Sequence, residues 1–87
     1  MKIHKYQIPT SPASIEMPLG ATIKAVHSQN ENIFLWVEVD EKQFTTELRL
    51  FRTYYTSREI MAGGWYLGTV FVQGGAIVYH VYEYPNK

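Results

Sequence analysis

The sequence predicts an all-β fold, a small antiparallel sandwich or barrel of six to seven strands with hairpin connections. Three observations predict it. Hydrophobic alternation has a period of two wherever a period is visible. Turns rich in Pro, Gly and Asn punctuate the chain at short spacing. No segment reads as an amphipathic helix of about ten residues or more. A length of 87 residues holds one domain, 1–87.

Lys2 to Ile8 alternates, with Ile3, Lys5 and Gln7 against His4, Tyr6 and Ile8. Pro9 ends that run, and Pro12 keeps the next residues out of regular pairing. Ser14 to Met17 forms a short strand closed by Pro18-Leu19-Gly20, a turn signature. Thr22 to Gln29 places Ile23, Ala25 and His27 on one side. The polar turn Asn30-Glu31-Asn32 follows, and asparagine tolerates the left-handed backbone that tight hairpins need. Ile33 to Val39 is the clearest strand, an aliphatic face of Ile33, Leu35, Val37 and Val39 opposite Phe34, Trp36 and Glu38.

Residues 40–43 are a polar link to Thr46–Thr56, where Leu48, Leu50 and Tyr54 alternate against Arg49, Phe51, Thr53 and Tyr55. A single helical turn at Ser57–Met61 is compatible with Ser57 as its cap. Glu59 to Gly64 reads as a loop. Trp65 to Gln73 and Ala76 to Tyr84 form a hairpin turning at Gly74-Gly75, with Gly68 marking a bulge or a close backbone approach. Regular alternation puts Trp65, Leu67 and Phe71 opposite Tyr66, Val70 and Val72.

Composition narrows the function classes. Eight basic side chains balance eight acidic ones, which removes the phosphate attraction that drives general nucleic-acid binding. With no cysteine there is no disulfide, thiolate metal site or cysteine nucleophile. The amino-terminal segment has no apolar run of a signal peptide, and no stretch reaches the length of a membrane-spanning helix, so a cytoplasmic protein without a membrane partner is expected. His4, His27 and His80 fall on three strands without metal-ligand spacing, and no serine sits in a nucleophile elbow. Catalytic residues, metal ligands and cofactors are therefore all expected to be absent, and the protein is read as a non-enzyme.

All three arginines, Arg49, Arg52 and Arg58, lie within ten residues, interleaved with Phe51, Tyr54 and Tyr55. Arginine forks onto phosphate and a tyrosine ring offers a stacking face, so this segment is the candidate ligand site. Arg49, Arg52, Tyr54 and Arg58 are its first members, with Gln29 and Trp36 on the preceding hairpin as further candidates; a charged, solvated edge strand is the competing reading. Arg49 and Arg52 differ by three and point to opposite faces of a regular strand. Aromatic residues make up 15% of the chain, and three strands are apolar or aromatic on both faces. One small core cannot hide all of them, which predicts a homo-oligomer whose interface takes the second face.

Several stretches carry a resemblance: Lys2-Ile3-His4-Lys5-Tyr6, Ile15-Glu16-Met17-Pro18 with Gly20-Ala21, Leu35-Trp36 with Val39-Asp40, and Gly68-Thr69, Gly74-Gly75-Ala76 and His80-Val81-Tyr82-Glu83. Over residues 2 to 84 the chain resembles a family of short phage- and prophage-encoded proteins of unknown function. It departs from them at Tyr55-Thr56-Ser57-Arg58, where relatives carry a glycine-rich turn with a histidine. The resemblance implies an anti-defence factor in the host cytoplasm, an oligomeric sponge that sequesters a nucleotide immune signal of ADP-ribose type. Two alternatives stand beside it: a protein–protein inhibitor of a host defence enzyme, and a minor phage structural protein.

Overall fold

The structure, a computed structural model, describes residues 1–86. Seven strands form two antiparallel sheets: β1 (Lys2–Ile8), β2 (Ala13–Pro18), β3 (Thr22–Gln29), β4 (Asn32–Val39), β5 (Thr46–Tyr55), β6 (Trp65–Val72) and β7 (Ile77–Tyr84). The three-stranded sheet has the order β1-β4-β3 and the four-stranded sheet β2-β5-β7-β6. They face each other as a sandwich, and the free edges β3 and β6 approach closely. There the Ser28 hydroxyl donates to the Phe71 carbonyl at 2.7 Å.

Alternation decides the core. Ile33, Leu35, Val37 and Val39 of β4 point inward, opposite Ala13 and Met17 of β2, Phe51 of β5, Val70 of β6 and Val81 of β7. Leu35, Val37, Val39, Phe51 and Val81 are completely buried. Each such side chain contributes about 1.5–3 kcal/mol of transfer free energy, so the central strands β4, β5 and β7 anchor the fold.

Two bulges revise the face assignments read from regular alternation. Register shifts between Ile23 and Ala25 in β3, so Ile23 joins Val26 on the inner side while Ala25 and His27 turn outward. A second shift lies between Tyr66 and Gly68. It puts Tyr66 on the same outward face as Thr69 and Phe71, away from Val70 and Val72. Each bulge inserts one residue and reverses the side of everything before it. Gly68 marks this bulge rather than a close approach, because a Cβ there would make an ordinary 3.5 Å contact with the Val26 Cβ.

The turns differ in detail from the sequence reading. Asn30 and Glu31, with φ of 51° and 68°, form the two-residue β3–β4 hairpin. The β6–β7 hairpin is not a two-residue Gly-Gly turn. It spans residues 73–76, with a 3₁₀ turn at Gln73–Gly75 in which Gln73, Gly74 and Gly75 all have positive φ. Ser57 has φ of 71°, which is incompatible with a helix cap, and no helix forms at 57–61.

Hairpins join β3 to β4 and β6 to β7. The connection from β5 to β6 is different. Both strands run antiparallel to β7, which lies between them. The chain must therefore return from the end of β5 to the start of β6, and residues 56–64 cross the outward side of β7 as a strap.

Candidate functional site

The outward face of the four-stranded sheet is built from cross-strand rows. The first is Ser14–Leu50–Tyr84, the second Arg52–Tyr82–Tyr66 and the third Tyr54–His80–Thr69, with Val78 and Phe71 beyond. Three aromatic rings meet edge-on across the strands: Tyr54 with Tyr82 at 5.7 Å, and Tyr66 with Tyr82 at 5.5 Å between centroids. Such geometry sets the electropositive ring edge against the face of the neighbour.

The strap is tied down on this face. The Tyr54 and Tyr84 hydroxyls lie 2.7 Å apart. Tyr84 donates to the Met61 carbonyl at 2.7 Å, and the Met61 amide donates to the Tyr54 hydroxyl at 3.3 Å. Burial first, and then the Tyr54 hydroxyl, push the Tyr84 phenol up to about 12. Beside this cluster runs a chain of hydrogen bonds from Tyr66 through Thr69 and His80 to Thr56, with links of 2.6, 2.9 and 2.9 Å. Both ring nitrogens of His80 are thereby occupied.

Arg52 sits in the middle row, flanked by Tyr54 on its own strand and Tyr82 on the next. Among the described residues it has no ion pair, and its Nε is buried without an acceptor. A buried donor left unpaired costs about 1–3 kcal/mol, more when it carries charge. No guanidinium nitrogen of Arg52 has a hydrogen-bond partner among the described residues, and since Nε is closed off from solvent an anion would meet only the part of the group that stays exposed.

Of the residues singled out in the sequence, Arg52 and Tyr54 come together here, as their spacing of two requires. Arg49 points inward from the same strand, as its offset of three from Arg52 requires. Its guanidinium is held by both carboxylate oxygens of Glu83, through Nε to one and through Nη2 at 3.0 Å to the other. It also donates to the Ala21 carbonyl at 2.7 Å. The Glu83 hydrogen bond raises the Arg49 pKa against the opposing effect of burial. Arg49 thus ties β5 and β7 to the turn that leads into β3, at one end of the sandwich.

Arg58 lies in the strap with its guanidinium 5.9 Å from the Tyr55 ring centre. Trp36 and Gln29 belong to the other sheet. Trp36 packs edge-on against His27 and Phe34, and the Gln29 side-chain oxygen accepts from the Lys5 ammonium at 2.7 Å. The six candidates therefore occupy several separate places. Tyr66, Tyr82 and Tyr84 are the members that the sequence reading missed. Tyr82, Tyr84 and His80 share a period of two and were legible as one face; Tyr66 was hidden by the bulge.

A family model described as a domain of unknown function (DUF7352) matches residues 1–87. No curated protein and no solved structure matches the chain.

Proposed function

The chain belongs to the DUF7352 family over residues 1–87, and we propose that this member acts by binding rather than by catalysis, holding a nucleotide-type small-molecule signal of ADP-ribose character. The observation that carries the reading is Arg52, a half-buried cation with no counter-ion or Nε acceptor among the described residues, ringed by tyrosines. Its guanidinium would take a phosphate in the fork geometry that arginine favours. The Tyr66 ring, 58% exposed and two strands away at about 10 Å, would receive the base. His80, with both nitrogens occupied, braces the face rather than moving a proton.

The setting implied by the resemblance is a phage-encoded factor in the host cytoplasm, where capture of such a signal would silence a defence response. Tight sequestration needs enclosure. Pairing of two copies through their exposed rings would provide it.

The test is thermal melting in the presence of ADP-ribose and related dinucleotides. A ligand at 100 times its Kd stabilises the fold by about 2.7 kcal/mol. Arg52→Ala is expected to abolish that shift, and the ligand should be recovered chemically unchanged. Absence of any shift, or conversion of the ligand, would refute the reading.

A second reading rests on exposure. Tyr66, in the row of Arg52, and Phe71, further along the same sheet face, are 58% and 59% exposed, and tyrosine and arginine are enriched at the centres of protein interfaces. This would be an inhibitor of a host enzyme. Nucleotide-independent inhibition that Tyr66→Ala removes would favour it.

A further inference from the structure

The end of the sandwich remote from Arg49 holds a cavity of about 420 Å³. We infer that it is a second small-molecule site, for an organic ammonium ion carried on a flat ring. The last residue pairs of the two sheets, Ile8 with Ile33 and Tyr55 with Tyr79, frame it. The tyrosine rings lie 5.0 Å apart and tilted by 31°, so together they offer an aromatic wall next to an aliphatic floor.

The polar groups set the ligand's chemistry. The Thr10 and Ser11 hydroxyls beside the cavity are already committed. Thr10 donates to the Pro12 carbonyl, while Ser11 donates to the Thr53 carbonyl and accepts from the Thr53 amide. Two side-chain acceptors on the β3–β4 hairpin have no donor among the described residues. One is the second carboxylate oxygen of Glu31, whose first takes the Gln73 amide at 2.8 Å. The other is the Asn32 side-chain oxygen, whose amide nitrogen donates to the Asn30 carbonyl at 3.1 Å.

Among the described residues, Glu31 is the only charged one lining the cavity. It occupies a left-handed position, φ 68°, that costs a non-glycine residue about 1 kcal/mol. The hairpin nevertheless carries a glutamate there, at the cavity wall and anchored to the Gln73 amide through one carboxylate oxygen. An anion would be repelled, which separates this site from Arg52. A cation would gain Glu31 and the face of Tyr79 that is turned away from Tyr55, since the Arg58 guanidinium already lies 5.9 Å from the Tyr55 ring centre.

The probe is phenethylammonium, with 2-phenylethanol as its uncharged counterpart, in a titration followed by amide chemical shifts of the full chain. Saturable shifts are expected at Asn32, Thr53 and Tyr79. Glu31→Gln keeps an acceptor for the Gln73 amide and should weaken binding about tenfold, and the alcohol should bind wild type about tenfold more weakly than the ammonium. Arg52→Ala should leave the titration unchanged. No saturable shift at these residues, equal affinity of the Glu31→Gln variant, or equal affinity of the alcohol would overturn the inference. None of these results depends on whether Arg52 binds a nucleotide.

Discussion

Tyr84 lies on the outward side of β7, yet only 4% of its surface is exposed, as little as many core residues. The strap covers it and the Met61 carbonyl accepts a hydrogen bond from its hydroxyl. A phenol in that position resists ionisation, and its pKa rises from about 10 in the unfolded chain to about 12. The unfolded state therefore loses its proton first as pH rises. The stabilisation is fully present below about pH 10 and disappears between pH 10 and 12. Denaturant midpoints measured across that range should fall more steeply for the wild type than for Tyr84→Phe. At neutral pH the same variant leaves the Met61 carbonyl without its donor and should lose about 1 kcal/mol. Equal alkaline slopes for the two proteins would show that Tyr84 is not the group responsible.

Among the elements, the strap makes the outward face what it is, and Gly64 sets how closely it lies. A Cβ on Gly64 would stand 2.6 Å from a ring carbon of Tyr84, too close without movement of one or the other. Gly64→Ala is expected to cost about 1–3 kcal/mol through overpacking. Gly68→Ala is the matched control in the neighbouring strand. Its Cβ would make an ordinary 3.5 Å contact with Val26, and the change should stay within about 1 kcal/mol. Equal stabilities of the two variants in urea would mean that the strap does not seat on Tyr84.

The strap also shows where sequence reading stops. Period-two alternation located all seven strands, because each has to bury one face. It placed Arg52 with Tyr54, and Arg49 apart from both. It could not see that residues 56–64 cross β7, since that follows from strand order, which local pattern does not encode. Nor could it see the extra residue in β3, which reverses the side of Ile23; in β6 it marked a bulge at Gly68, where the register does shift, without carrying the reversal through to Tyr66. The partners of Arg49 were out of reach for the same reason: Glu83 lies thirty-four residues away and meets it only through the β5–β7 register.

At the scale of the whole molecule, exposed apolar side chains are unevenly shared. Leu48, Tyr66 and Phe71 on the outward side of the four-stranded sheet are each at least half exposed, and Ile60 and Met61 of the strap lie beside them. Formal net charge is zero, so copies meet little electrostatic repulsion. A standard interface takes about 800 Å² from each partner, roughly a seventh of the 5663 Å² this molecule exposes. One sheet face with its strap is of that order. Self-association through this face should appear in light scattering as a mass that rises with concentration to a closed oligomer. The Tyr66→Glu and Phe71→Glu variants place an unpaired carboxylate in that contact and should remain monomeric. Because both side chains are already solvated, their melting temperatures should stay close to wild type. If wild type is a monomer at every concentration, the rings serve another partner. If instead Trp36→Glu alone dissociates the oligomer, the contact lies on the β1-β4-β3 sheet, and the Arg52 face remains open to solvent and ligand in every copy.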